Sequence, residues 1–112
     1  MEAILTQEMT TDLIDGLRQI FQGDISQIIL YGSVARNEAT VDSDIDIAII
    51  LTTKLDAQKR DAFISWASDM DMKYERVFSI IDIDKKLYDE WSDVLPFYHN
   101  IQKEGISLWK AA

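Results

Sequence analysis

The chain has 112 residues, with 11 Lys and Arg against 20 Asp and Glu, which gives a net charge of −9. Hydrophobic residues make up 47% of it and charged residues 28%, the composition of a globular protein rather than a disordered one. At this length we expect one domain over residues 1–112. Proteins that bind nucleic acids or anionic membranes neutralise phosphates with Lys and Arg, so the acidic balance argues against both kinds of partner.

Cysteine is absent, which excludes disulfides and thiolate metal sites. The longest uninterrupted apolar run, 47–51, is far shorter than the ~20 residues that span a bilayer. The N-terminus, Met1-Glu2-Ala3-Ile4, has neither the basic segment nor the long apolar segment of a secretory signal. We therefore expect a cytoplasmic protein that does not enter a membrane.

Helical and extended patterns alternate along the chain. Apolar residues at helical spacing predict a first helix over 9–21, and Gly23 follows as its expected stop. Short apolar runs at 25–31 and 45–51 predict two buried strands. Apolar residues spaced i, i+3, i+4 and i+7 predict a second amphipathic helix over 56–72.

The rest of the chain continues the alternation. The apolar run 77–83 predicts a third strand, and Lys85-Lys86 a turn after it. Pro96 is expected to open a short helix, because its missing N–H does no harm at a first helical position. Gly105 ends that helix, and 106–109 predict a final short strand. This order is typical of an α/β (α+β) fold with a small mixed sheet, partly parallel and flanked by helices.

The first predicted strand ends in a Gly-Ser turn, Gly32-Ser33, that leads into a short helix. Gly32 has no Cβ, so the phosphates of a ligand can approach the backbone closely. Ser33 is expected to cap the short helix, whose first N–H groups would face an anion. A phosphate-binding loop needs these features, and an ordinary strand-to-helix turn needs the same two residues for structural reasons alone.

Ten residues follow Ser33, and then come two aspartates, Asp44 and Asp46. Alternation along a strand puts both carboxylates on one face, with Cα atoms about 6.6–6.8 Å apart. Two like charges about 5 Å apart repel by roughly 3 kcal/mol at an effective dielectric of about 20, and a bound divalent cation removes that cost. The alternative is a solvated strand start in a chain that has 14 aspartates.

Together, Gly32-Ser33 and Asp44-Ile45-Asp46 resemble the signature of the DNA polymerase β nucleotidyltransferase superfamily. A Gly-Ser pair, ten residues and Asp-x-Asp would arise by chance in about 0.4% of sequences of this composition. Neither a Walker A sequence nor the Rossmann glycine motif is present. The short chain resembles the minimal nucleotidyltransferase (MNT) branch, and the resemblance spans nearly its whole length, including 95–98 and 104–109.

The resemblance implies a polymerase β-like nucleotidyltransferase fold, with ATP as substrate and two Mg²⁺ ions as cofactors. It implies that Asp44 and Asp46 are the catalytic carboxylates and the metal ligands. It also implies that Gly32 and Ser33 hold the β- and γ-phosphates. The implied reaction transfers a nucleoside monophosphate to an acceptor hydroxyl and releases pyrophosphate.

Arg36 is a further nucleotide-binding candidate. It is the only Lys or Arg between Gln19 and Thr53, and it follows the Gly-Ser turn closely enough to reach a triphosphate oxygen. The alternative is a surface arginine paired with a nearby acid, Glu38 or Asp42, which is worth little energetically.

The superfamily usually carries a third carboxylate on a later strand. On the predicted strand 77–83, the best match to that position is Ser79, a poor base and a weak metal ligand. Asp82 fills the role instead if the register of the strand differs from that of the family. A serine here predicts slower catalysis and leaves the binding of ATP and Mg²⁺ intact.

Two functional hypotheses follow. The first is an antitoxin enzyme that transfers AMP from ATP to a hydroxyl, a tyrosine of a HEPN-domain toxin, as the MNT resemblance implies. The second is a nucleotide-binding module that neutralises the same partner by direct contact, and Ser79 is its main support. A small-molecule acceptor such as an aminoglycoside is less favoured, because the chain lacks the extra domain that such enzymes use. Both hypotheses are compatible with a homo- or a hetero-oligomer.

Overall fold

A computed structural model describes residues 4–112. Its helices are α1 (Gln7–Phe21), α2 (Gly32–Ala35), α3 (Ala57–Tyr74), α4 (Lys85–Trp91) and α5 (Pro96–Glu104), with a 3-10 turn at Gln22–Asp24. Its strands are β1 (Ile25–Tyr31), β2 (Ile45–Leu51), β3 (Phe78–Asp84) and β4 (Ile106–Lys110). No helix within residues 4–112 has the length and apolar character needed to cross a bilayer. The first three residues, on which the expectation about a secretory signal depends, lie outside the described residues.

The four strands form one mixed sheet in the order β3-β2-β1-β4. β1 pairs antiparallel with both β2 and β4, whereas β2 and β3 are parallel. The parallel pair follows from α3, because two parallel strands need a long crossover between them. The predicted α/β (α+β) class, with a small mixed sheet flanked by helices, is confirmed.

The sheet separates two apolar cores. On one face, Ile45, Ile47 and Ile49 of β2 pack with the buried side chains of α1 and α3. On the other face, Ala48 and Ile50 pack with buried residues of β3, α4 and α5. Helices therefore cover β2 from both sides, which explains why its sequence is a nearly continuous apolar run.

Two local predictions are wrong. Lys85-Lys86 is not a turn but the start of α4, which Asp84 caps by accepting a hydrogen bond from the Leu87 N–H (3.2 Å). Strand β3 passes directly into this helix, so the sequence has no loop residues that mark where the helix begins. Gly23 is not the stop of α1 either. The helix ends at Phe21, and Gln22 takes the positive φ of 49° that reverses the chain.

Candidate active site

Three strand ends meet at one end of the sheet. Strand β1 finishes at Tyr31, which pairs with Asp46 near the start of β2. Strand β3 runs alongside β2 and places Ser79 next to Asp46 on the other side. Asp44 comes just before the strand, which begins at Ile45. Asp46 is therefore fixed inside the sheet, and Asp44 lies at its edge.

Gly32 brings the turn after β1 against the Asp46 carboxylate. Its φ is +74°, a conformation that is costly for residues with a side chain. A Cβ built on Gly32 would lie 2.3 Å from Oδ2 of Asp46 and 3.1 Å from its Cγ. Only glycine fits here, for its backbone conformation and for the space that the carboxylate takes.

Ser33 does not cap α2, contrary to the sequence-based expectation. The helix begins one residue earlier, at Gly32, and its N-cap is Tyr31, which makes no side-chain capping bond. Ser33 lies in the first turn instead, where its carbonyl accepts a hydrogen bond from the Glu38 N–H (2.9 Å). Its hydroxyl is thus not committed to a cap.

The environment of Asp46 disfavours its charge. Burial is the largest cause that raises its pKa above the usual value, and the negative charge of Asp44 raises it further. Arg36 opposes both effects by lowering the pKa. Burial and the Asp46 charge also raise the pKa of the Tyr31 phenol. The site therefore holds excess negative charge that its own residues do not neutralise.

This donor set fits Mg²⁺. Carboxylate oxygens are the ligands that this ion prefers, and it is typically held by one or two of them together with substrate phosphates and water. Within residues 4–112 no cluster of three or more His, Cys, Asp or Glu is arranged to hold a metal ion. Asp44 and Asp46 would thus hold the ion as a pair, and the ion would relieve the charge repulsion between them.

Ser79, not Asp82, lies at the site. Ser79 is the direct neighbour of Asp46 across the parallel strands, so the two side chains share one face of the sheet. Asp82 pairs with Ile49. It lies three residues further along β3, on the opposite face, and it is exposed. The third-carboxylate position predicted from the family strand is therefore occupied by a hydroxyl.

Arg36 forms surface ion pairs. Its guanidinium lies 3.2 Å from the Glu38 carboxylate and 3.5 Å from Glu104 of α5. The hydrogen bond to Glu38 is the largest cause that raises the pKa of Arg36. The pairing with Glu38 agrees with the alternative interpretation of Arg36, that of a surface arginine paired with a nearby acid. The effect on the pKa of Asp46 agrees with a place beside the carboxylate pair.

A family model described as "Polymerase beta, Nucleotidyltransferase" matches residues 15–111. The chain belongs to this family. This nucleotidyltransferase is also 31% identical over 101 residues to "Putative protein adenylyltransferase MJ0604" of Methanocaldococcus jannaschii. The aligned region covers 88% of this chain and 92% of that relative.

Solved structures share the fold of this nucleotidyltransferase. One is a toxin–antitoxin crystallised with AMP-PNP, at a TM-score of 0.60 and 20% identity, with 91% of this chain and 73% of that chain covered. Another is a tri-AMPylated HEPN toxin of Shewanella oneidensis in complex with an MNT antitoxin, at a TM-score of 0.58 and 19% identity. The match covers 95% of this chain and 74% of the other. The predictions of the fold, the family and a nucleotidyltransferase enzyme are confirmed, whereas the roles of the individual site residues stay predictions.

Arg76 is a contributor to the site of this nucleotidyltransferase that sequence reasoning missed. Its Nη2 donates a hydrogen bond to the carbonyl of Ser43 (2.8 Å), immediately before Asp44. The contact joins the loop ahead of β2 to the segment ahead of β3. Arg76 lies 33 residues from Ser43 in the chain, and no local pattern connects them.

A cavity of about 420 Å³ is lined by Asp44, Arg76 and the apolar side chains of Val41, Met72 and Val77, among others, but not by Asp46 or Gly32. A larger one, of about 520 Å³, lies at the far end of β2 near Ile50 and is lined by neither aspartate. We place the candidate site at the two carboxylates and the Gly32 turn rather than at either cavity, because these residues carry the chemistry.

Proposed function

We propose that this nucleotidyltransferase is a Mg²⁺-dependent adenylyltransferase that transfers AMP from ATP to a tyrosine of a HEPN-domain toxin and so acts as its antitoxin. The observation that carries the proposal is the Asp44–Asp46 pair, of which Asp46 packs against a turn position that only glycine fits. Support comes from the name of the M. jannaschii relative and from the AMPylated toxin in the solved neighbour. The neighbour with AMP-PNP supports ATP as the nucleotide.

In this proposal each site residue has one role. Asp44 and Asp46 hold the metal, the backbone at Gly32 and Ser33 receives the β- and γ-phosphates, and Arg36 leaves its glutamates to bind a phosphate oxygen. Bound Mg²⁺ would neutralise the triphosphate and favour the ionised form of the acceptor hydroxyl. The acceptor oxygen forms a bond to the α-phosphorus while the bond to the β-phosphate oxygen breaks. Pyrophosphate leaves, and the proton of the hydroxyl passes to solvent.

The direct test is mass spectrometry of the HEPN-domain protein from the same genome after incubation with this chain, ATP and Mg²⁺. Each transfer should add about 329 Da, the mass of AMP less water, to a tyrosine. The Asp44→Asn, Asp46→Asn double variant is the control and should add nothing. An unmodified partner, in a reaction where an unrelated adenylyltransferase is active on its own substrate, would count against the proposal.

Ser79 favours a second candidate function, in which protection comes from binding and transfer is dispensable. The Asp44→Asn, Asp46→Asn double variant separates the two. If cells that express the HEPN toxin still grow when they carry this variant, binding alone protects them. Loss of protection, with binding to the toxin intact, supports transfer.

Ser79→Asp should strengthen the response of the fold to Mg²⁺. Without the ion, a third carboxylate beside Asp46 is expected to cost up to about 3 kcal/mol of stability through like-charge repulsion. With saturating Mg²⁺ the variant should gain more in Tm than the wild type, because it offers one more ligand. Thermal unfolding with and without the ion measures this, with Ser79→Asn as the uncharged control. Equal gains in all three proteins would contradict a metal site at Asp46.

A further inference from the structure

Helices α4 and α5 and the short segment between them carry apolar side chains on the protein surface. Five large apolar residues within one eleven-residue segment are 42% to 64% exposed, and we call them the α4–α5 patch: Leu87, Trp91, Val94, Leu95 and Phe97. Clustered apolar exposure of this kind marks interaction surfaces, and Trp is among the residues that dominate binding energies.

Buried residues of the core support the α4–α5 patch. Tyr88 and Ser92 lie next to its members in sequence but are buried, and Ile101 of α5 is buried beside Tyr88 in the core. Leu87 and Trp91 are one helical turn apart, so they lie on the same face of α4. The exposed side chains thus stand on a packed base, as a preformed binding surface requires.

The patch is continuous with the candidate active site. The Phe97 ring meets the Tyr31 ring edge-on, with centroids 5.8 Å apart. Tyr31 pairs with Asp46 across the sheet and directly precedes Gly32. Helix α5 also supplies Glu104, which pairs with Arg36. A protein seated on the patch would therefore lie beside the carboxylate pair.

The charge around the patch selects the kind of partner. Residues 84–97 contain four acids and two lysines, and one of the lysines, Lys85, is paired with Asp89 (2.5 Å). Glu90 and Asp93 are exposed beside Trp91. A second copy of a chain with a net charge of −9 would bring like charges together at this surface. A partner with basic residues around an apolar centre is complementary instead.

We propose that the α4–α5 patch is the docking surface for the acceptor protein, whose matching surface is apolar with a Lys- and Arg-rich border. The inference rests on the proposed function, because it assumes a protein acceptor. Docking here would bring the acceptor hydroxyl to Asp44 and Asp46 without an acceptor-binding domain in the described chain.

The test compares two double variants by calorimetric or optical binding to the HEPN-domain protein used above. Leu87→Ala, Trp91→Ala should raise the Kd by about 30-fold or more, as expected for loss of a central Trp anchor. Glu90→Lys, Asp93→Lys should slow association and weaken its dependence on salt. Ile64→Ala, at an exposed apolar residue of α3 on the other side of the sheet, is the matched control. All variants should bind ATP with Mg²⁺ as the wild type does.

The outcomes separate docking from transfer. An unchanged Kd in both double variants overturns the docking surface, even if AMP transfer proceeds. Weaker binding in the patch variants, with ATP binding intact, supports it even if the wild type binds the toxin without modifying it. In that case the proposed function fails and the surface stands. If the Leu87→Ala, Trp91→Ala variant does not fold, the binding of the Glu90→Lys, Asp93→Lys variant decides whether the docking surface is correct. A wild type that does not bind the HEPN protein overturns both proposals for that partner.

Discussion

Asp46→Asn is expected to produce an enzyme that is more stable than the wild type and nearly inactive. In our proposal Asp46 is a metal ligand, and loss of such a carboxylate removes several kcal/mol of transition-state stabilisation, so AMP transfer should fall about 10³-fold or more. The same change removes a partly buried charge whose pKa is raised by burial and by Asp44. Stability and activity should therefore move in opposite directions.

The pH dependence of this effect has a definite sign. The pKa of Asp46 in the folded protein lies above the usual 3.8, so the folded state holds a proton that the unfolded state has already released. Its contribution to stability is complete below that usual value and is lost as the pH rises through the raised pKa. The Asn side chain does not ionise, so the variant does not lose stability as the pH rises through this range. The difference in Tm between the variant and the wild type should hence widen from pH 4 towards neutrality.

Thermal unfolding across this pH range, together with a transfer assay, measures both parts. Mg²⁺ should raise the Tm of the wild type and leave that of Asp46→Asn nearly unchanged. Asp82→Asn is the matched control, because Asp82 is an exposed strand aspartate away from the site. It should keep full activity and full response to Mg²⁺. If Asp82→Asn loses activity as Asp46→Asn does, the assignment of the carboxylate pair is wrong.

Gly32→Ala should impair both the fold and the reaction. A side chain at φ +74° costs about 1–2 kcal/mol, and its Cβ would also displace the Asp46 carboxylate, which lies where the new atom must go. We expect a fall in Tm of about 10 °C for a domain of this size. Nucleotide binding should weaken as well, because the turn and the carboxylate shift together.

Gly23→Ala provides the control. A Cβ at Gly23 meets nothing within 4 Å, and its φ lies outside the left-handed range. This substitution should change stability by less than about 0.5 kcal/mol and leave nucleotide binding intact. Equal Tm values for the Gly32→Ala and wild-type proteins would show that the turn does not need glycine.

The sequence predicted the elements that depend on local pattern. Strands β1 and β2 are mostly apolar because both are largely buried, and the site residues lie at their ends. Helix α4 was missed for a different reason. It is seven residues long and follows β3 without a loop, so neither a long apolar period nor turn residues mark it in the sequence. Its apolar surface reflects contact with something outside the chain, in our proposal, and not with the core.

The parts of the site that depend on tertiary contacts were beyond sequence reasoning. The Gly-Ser turn and the aspartate pair could be found because each is contiguous. That Ser79 lies next to Asp46 depends on the register of two parallel strands separated by α3, and matching to the family strand only suggested it. The hydrogen bond from Arg76 to Ser43 joins segments far apart in the chain, and only the fold brings them together.

The position of the two aspartates relative to β2 gives them unequal freedom of motion. Asp46 lies in a strand that is hydrogen-bonded on both sides and covered by both cores, so it can move only if the centre of the sheet opens. Asp44 is exposed in the loop ahead of the strand, where small displacements break no sheet pairing. Asp46 is thus held rigidly, whereas Asp44 is free to move. Of the two carboxylates, Asp44 is therefore the one that can adjust its position toward a bound ligand, while Asp46 keeps its place.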